Sequence, residues 1–189
     1  MPAKISSPLL QAAFARIAQL SMGADLVTAA NRHNARIAFS SLISGGFTLN
    51  VIRTVLIDPR LQEPTGFDWL VCILAHELCH VQQEFWIDSV EQELLCYQRQ
   101  ARVCHELGLE AAKALYDRFL PLDPHDLETA LQFILELAGD SLPTQTIYSS
   151  LPKSQPTRFT QKIATGLKEL GAAGRAGIQS ARLTRANKA

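Results

Sequence analysis

The sequence lacks long apolar runs, and this shortage argues against a membrane-spanning helix. No stretch of about 18 consecutive apolar residues occurs anywhere in the 189-residue chain, so we expect no transmembrane helix. The N-terminal segment 1–20 is interrupted by Gln11 and Arg16 and lacks a small-residue cleavage site, so we expect no secretory signal. We therefore predict a cytoplasmic protein.

Cysteine is scarce, and its spacing argues against a disulfide framework. The four cysteines, Cys72, Cys79, Cys96 and Cys104, form no Cys-x-x-Cys pair, and all lie in segments with helical periodicity. We expect buried thiols in a reducing compartment.

The chain also has no excess of charge, but its formal net charge of zero hides an asymmetry. Residues 151–189 carry eight Lys or Arg and one acid, a net charge of +7, whereas residues 1–150 carry ten bases and seventeen acids, a net charge of −7. Three interpretations of the basic end stay open: a solvated tail, contact with a polyanion such as nucleic acid or a membrane surface, and contact with the acidic body.

Two periodicities of apolar residues predict an α+β fold for residues 1–140. Strand-like alternation occurs in 35–42 and 46–58. Helical patterns with start and stop signals cover about 8–22, 24–33, 66–85, 89–107, 109–120 and 124–138. The predicted architecture is mostly helical, with a small β-sheet packed on a hairpin of the helices 66–85 and 89–107.

The composition changes after residue 140. Segment 141–156 holds three prolines and many hydroxyl-bearing residues, which predicts an extended linker. Segment 157–189 is rich in Gly, Ala and basic residues, which predicts a weakly helical or disordered tail. We therefore expect one domain over 1–140, followed by a linker and a basic tail.

Residues 73–83, ILAHELCHVQQ, place three polar side chains in a helix that is otherwise apolar nearly all round. His76 and His80 are four residues apart, so they lie on one face and direct their nitrogens to a common point, which suits a zinc ion. Glu77 points to the flank of that point, where it can take a proton from a water bound to the metal. The alternative is a set of hydrogen-bonded core side chains, but burying such groups without partners costs about 1–3 kcal/mol each.

A catalytic zinc ion needs a third protein ligand, and the next helix offers Glu93 and Glu91. With a turn near Ile87, Glu93 comes level with His80 across the hairpin and shares the inward stripe of its helix. Glu91 lies toward the outer face, where capping explains it. Helical phase favours Glu93.

The AHELCH motif with a downstream glutamate on the next helix resembles the zincin metallopeptidases, in particular the gluzincin type and small single-domain members such as the ImmA/IrrE-like group. The resemblance covers about residues 35–107. It implies zinc held by His76, His80 and Glu93, Glu77 as the general base, and hydrolysis of a peptide or protein substrate. It also implies an edge strand that binds the substrate by strand addition, and residues 50–58 are similar to it in placement.

Two functions from different classes follow from these patterns. The first is a zinc-dependent metallopeptidase. The second is a catalytically inactive module of the zincin fold that acts through its basic tail or its strand edge. Residue type alone nominates His33, Tyr97, His105 and Tyr148 as donors to a transition-state oxyanion.

Overall fold

The chain divides into two compact units. The first comprises residues 1–85 and 95–121, and the second comprises residues 86–94 and 122–189. The computed structural model describes residues 2–41, 45–63, 66–83, 88–139 and 141–154. The fold is α+β and mostly helical, as predicted, whereas the domain of residues 1–140 stays a prediction.

A small mixed sheet lies in the first unit. Its strands are β1 (Lys4–Ile5), β2 (Arg36–Phe39), β3 (Gly46–Leu49) and β4 (Thr54–Ile57), in the order β1-β2-β4-β3. Strand β2 is parallel to β1 and β4, whereas β3 runs antiparallel to β4. Within the described residues, β3 therefore forms one edge of the sheet.

The prediction of one strand region over 46–58 is wrong. The chain reverses at a 3-10 turn, Asn50–Ile52, and at Arg53, which has a left-handed backbone with φ 51°. Val51 and Ile52, each 62% exposed, continue the apolar pattern through this turn, so the pattern alone conceals it. Residues 50–58 are also not the edge strand, because β4 lies between β2 and β3.

The helices of the first unit surround one central helix. They are α1 (Pro8–Ala18), α2 (Ala24–Arg32), α3 (Phe67–Gln83), most of α4 (Val90–Leu107) and α5 (Glu110–Tyr116). Helix α3 packs against α1 and α2 and against strands β3 and β4. Every residue from Leu74 to Val81 is buried, which explains why this helix is apolar nearly all round.

Within the first unit, α3 and α4 run antiparallel with a defined register. Cys72 meets Cys104 and His76 meets Gln100, so a step of four residues forward on α3 matches four residues backward on α4. This register brings Cys72 and Cys104 together as a disulfide with a Cα–Cα distance of 6.1 Å. The expectation that all four cysteines are thiols is therefore wrong, because it considered each helix without its partner.

The start of α4 belongs to the second unit, with α6 (Leu127–Ala138) and α7 (Leu142–Ser149). Ser89 caps α4, as its sequence predicts, through a hydrogen bond from the Gln92 N–H to the Ser89 hydroxyl. The Val90 and Glu91 N–H groups donate to the carbonyls of Pro152 and Lys153. Three of the four N–H groups that a helix start leaves without intrahelical partners are thus bonded.

Two boundaries in the second unit differ from the predictions. Helix α6 begins at Leu127 because Asp123 accepts the His125 N–H and closes a separate turn, while Asp126 caps the helix. Residues 142–149 form α7 instead of an extended linker, since a proline in the first turn loses no helical hydrogen bond. The predicted tail, 157–189, lies outside the described residues.

Among the residues described, none of the helices combines the length and the apolar character that crossing a bilayer requires.

Candidate metal centre

His76 and His80 bring two imidazole nitrogens together in the first unit. The residues lie one turn apart on α3, they are 5% and 3% exposed, and their Nε2 atoms are 3.1 Å apart. Two nitrogen ligands of a tetrahedral zinc ion, each about 2.05 Å from the metal, are separated by about 3.3 Å. The convergence expected from the sequence spacing is therefore observed, and the geometry fits a shared ion, whereas the role of the histidines as ligands stays a prediction.

Gln100 on α4 orients the first of these histidines. Its Oε1 atom lies 2.9 Å from Nδ1 of His76, and the Gln100 side chain is buried. An amide oxygen only accepts, so Nδ1 carries the hydrogen and the Nε2 lone pair points toward His80. This is the tautomer that a metal ligand needs, and a hydrogen bond at the second ring nitrogen is a regular feature of metal-binding histidines.

Aromatic rings pack the other side of the His76 imidazole. Tyr97 meets it edge-on with ring centroids 4.5 Å apart, and Tyr97 itself stacks on Phe119 at 4.7 Å. Burial raises the pKa of the Tyr116 phenol, whose ring stacks on Tyr97 with ring centroids 5.9 Å apart. These contacts restrict the His76 ring to one orientation.

Glu77 lies between α3 and the edge strand β3. It is 5% exposed, and its Oε2 accepts a 2.6 Å hydrogen bond from the hydroxyl of Thr48. Gly46, two residues earlier on β3, leaves room for the carboxyl group, because a Cβ atom there would stand 2.5 Å from Oε1. The carboxylate is thus held against β3 by groups of that strand.

Two cysteine thiols adjoin the histidine pair. The Sγ of Cys96 and the ligand nitrogens of His76 and His80 lie within 4.8 Å of one another, and all three side chains are buried. The Gln83 amide nitrogen lies 3.3 Å from the Cys79 sulfur and 3.2 Å from the Cys96 sulfur. A hydrogen bond with Cys96 lowers the pKa of Cys79 to about 6 against the opposing effect of burial, with further lowering from Gln83 and His80.

Glu93 and Glu91 lie in the first turn of α4, in the second unit. Glu93 is 5% exposed, whereas Glu91 is only half-buried. The inward face predicted for α4 is buried as expected, at Val90, Leu94, Tyr97, Ala101 and Cys104. The role of Glu93 as a metal ligand stays a prediction.

The residues nominated as oxyanion donors lie in different surroundings. Tyr97 contacts His76, as described above. His105 pairs with Asp117 on the surface, and Nδ1 of His33 lies 2.6 Å from the Arg53 guanidinium, also on the surface. Tyr148 belongs to α7 in the second unit.

Three residues of the candidate site were not among those predicted: Cys96 and Gln100 beside the histidine pair, and Thr48 beside Glu77. For the two on α4 a signal existed, because positions 93, 96 and 100 recur at helical spacing on one face. Thr48 carried no comparable signal, since its place depends on how β3 packs on α3.

These groups together offer two imidazole ligands, a nearby thiol and a buried carboxylate, which is a donor set for a borderline-soft divalent ion beside a base.

No family model, no curated protein and no solved structure matches the chain.

Proposed function

We propose that this protein is a zinc-dependent peptidase in which His76, His80 and Glu93 hold the ion and Glu77 is the general base. The observation that carries the proposal is the buried histidine pair, with Nε2 atoms 3.1 Å apart and the Nδ1 of His76 bonded to Gln100. Residues of a purely structural core rarely combine two convergent imidazole nitrogens with an adjacent buried carboxylate.

A structural role gives the same histidines a different chemistry. Without metal, Nε2–H of His80 donates to Nε2 of His76, and one hydrogen bond satisfies both nitrogens. In the proposed function, His76 and His80 would instead each direct Nε2 to a bound zinc ion. The two functions therefore differ in one measurable quantity, the affinity of the protein for zinc.

Burial on α4 supports Glu93 as the third ligand over Glu91. Glu93 shares a helical face with Cys96 and Gln100, both of which contact the histidine side of α3. Cys96 is the alternative third ligand, because a thiolate also binds zinc and its sulfur lies within 4.8 Å of both histidine nitrogens.

Each residue then has a defined task. A bound zinc ion would supply Lewis acidity toward a water molecule and toward the peptide carbonyl. Glu77 accepts a proton from the attacking water and passes it to the leaving amine. Strand β3, an edge of the sheet among the described residues, pairs with an extended peptide or protein substrate through its main-chain groups.

Metal analysis tests this proposal most directly. Protein purified without added metal, or titrated with zinc, should bind about one equivalent. Less than about a tenth of an equivalent, with no uptake on titration, would overturn the proposal. Glu77→Gln should retain the metal and lose peptidase activity, because the amide keeps the size of the side chain and removes the base.

The third ligand can be assigned by substitution. Glu93→Ala should weaken zinc binding by at least about tenfold, since two imidazoles alone form a poor site. Glu91→Ala should change it little. If Cys96→Ser produces the larger loss instead, and cobalt-loaded protein shows a thiolate charge-transfer band that Cys96→Ser removes, the third ligand is Cys96.

The second candidate function is a zincin-fold binding module without catalysis. The buried thiols next to the pair favour it, because a thiolate that joins the ligands can close the position that a catalytic zinc leaves for water. If the wild-type protein cleaves peptides and Glu77→Gln abolishes this activity, the second candidate is excluded. Polyanion contact through the basic tail remains part of the proposal, and that tail lies outside the described residues.

A further inference from the structure

Strand β3 presents alternate residues to α3. Gly46 and Thr48 are two positions apart, so both point to the same face of the sheet. Thr48 is 3% exposed, and its hydroxyl lies 2.6 Å from Oε2 and 3.2 Å from the backbone oxygen of Glu77. The single hydroxyl hydrogen has two acceptors on the same glutamate, and the shorter distance favours the side-chain oxygen Oε2.

Gly46 limits the glutamate from a second direction. An ideal Cβ at this position would lie 2.5 Å from Oε1, 2.7 Å from Cγ and 2.8 Å from Cδ of Glu77. Real Cβ atoms do not approach other atoms so closely, so any side chain here would displace the carboxyl group. The carboxylate occupies a place that the β3 backbone and the Thr48 hydroxyl define together.

We propose that Thr48 is a positioning residue for Glu77, and that Gly46 provides the space in which the positioned carboxylate lies. This inference rests on the proposed function, in which Glu77 is the base. A hydroxyl donor fixes the rotation of the carboxyl group, and a base must lie within hydrogen-bond reach of the proton that it removes. Misplacement by about 1 Å can cost about 100-fold in rate.

The location of Thr48 adds a second consequence. Strand β3 is also the strand proposed to pair with the substrate, so the base and the peptide take their positions from the same element. A hydrogen bond from this strand to Glu77 therefore couples the register of the bound peptide to the base. Thr48 acts through Glu77. Among the described residues, it forms no hydrogen bond with either histidine.

The test compares Thr48→Val with Thr48→Ser in the full-length protein loaded with zinc. The valine variant keeps the shape and removes the donor, so kcat should fall about tenfold while KM and zinc affinity change less than about twofold. The serine variant keeps the donor and should recover the rate to within about threefold of wild type. In a Glu77→Gln background, Thr48→Val should not lower the residual rate further, because no base remains to be positioned.

A readout that needs no activity comes from the metal-free protein. Thr48→Val should lower the urea midpoint of unfolding more in wild type than in a Glu77→Met background, which lacks the side-chain acceptor. Gly46→Ala supplies an independent variant and should lower kcat by about 100-fold with metal retained. Its control is Gly66→Ala, where the nearest atom to the new Cβ is 3.5 Å away, an ordinary contact.

The outcomes separate the two proposals. A wild-type protein that binds no zinc and cleaves no peptide overturns the proposed function itself. An active wild type in which Thr48→Val keeps full kcat, or in which the loss is equally large in the Glu77→Gln background, overturns only the role of Thr48.

Discussion

The histidine pair of α3 and the surface pair of His105 and Asp117 place the same side chain in two opposite settings. His76 and His80 are almost fully buried, and their partners are a neutral amide and each other. His105 lies 2.7 Å from the Asp117 carboxylate, with both side chains more than 40% exposed. Solvent screens the charges of the surface pair, so that pair requires no further ligand. The buried pair instead directs an imidazole lone pair into the protein interior. Burial together with the tautomer, and not the presence of histidine, marks the candidate metal centre.

The largest expected effect follows from removing one member of each pair. His76→Ala should weaken zinc binding by about 1000-fold, because a single imidazole and one carboxylate cannot hold the ion. His105→Ala should leave zinc affinity unchanged within about twofold, because a surface ion pair contributes little. Competition against a chromophoric chelator measures both affinities.

If the two substitutions weaken zinc binding equally, the buried and the surface histidines do not differ in their effect on the metal. Zinc bound at full affinity by His76→Ala would place the metal elsewhere in the chain.

A smaller effect is expected from the residue that orients His76. Gln100→Leu removes the acceptor for Nδ1–H and should weaken zinc binding by about tenfold or more, as loss of an outer hydrogen bond does at other histidine sites. The matched control is Gln98→Leu on the same helix, whose amide nitrogen donates to the Phe119 carbonyl at 3.1 Å. Isothermal titration with zinc distinguishes the two variants.

If Gln98→Leu and Gln100→Leu weaken zinc binding alike, the effect comes from packing of α4. In that case Gln100 does not set the tautomer of His76.

The smallest expected effect follows from replacing Asp58, a carboxylate that accepts hydrogen bonds from Arg60 and Gly45. Burial acts to raise the pKa of Asp58, but hydrogen bonds from Arg60 and from the Gly45 N–H outweigh it and hold the pKa below 3.8. A depressed pKa stabilises the fold above the unfolded value of 3.8, and this stabilisation is lost as the pH falls through the folded pKa. Asp58→Asn should therefore cost about 1 kcal/mol at pH 7, with a difference from wild type that shrinks below pH 4.

Urea unfolding at several pH values, with and without zinc, measures this difference. Since Asp58 lies outside the metal centre, the cost of Asp58→Asn should be the same in both conditions. If the cost of Asp58→Asn grows as the pH falls below 4, folding does not lower the pKa of Asp58.

Local periodicity accounts for the parts of the molecule that were predicted correctly. The position of α3, the shared face of His76 and His80, the Ser89 cap and the burial of Glu93 each depend on residues within a few turns of one another. Such features follow from the 3.6-residue repeat and from the hydrogen-bonding needs of a helix end.

The expectations that proved wrong came from extending the same local patterns beyond the element to which they apply. Apolar residues run through the turn at Val51 and Ile52, so the two strands β3 and β4 look like one. The composition of 141–156 suggests a linker, although a proline in its first turn and hydroxyl side chains are compatible with α7.

The sequence by itself determined that two imidazoles and a carboxylate lie on one buried helix, because that arrangement needs only the helical repeat. Only the tertiary structure decided which side chains surround them. The antiparallel register of α3 and α4 selected Gln100 and Cys96 and joined Cys72 to Cys104, and the packing of β3 on α3 brought Thr48 to Glu77. The two hydrogen bonds and the disulfide among these contacts link residues 24 to 32 positions apart, and their register is set by how whole helices and strands pack, which no local pattern encodes.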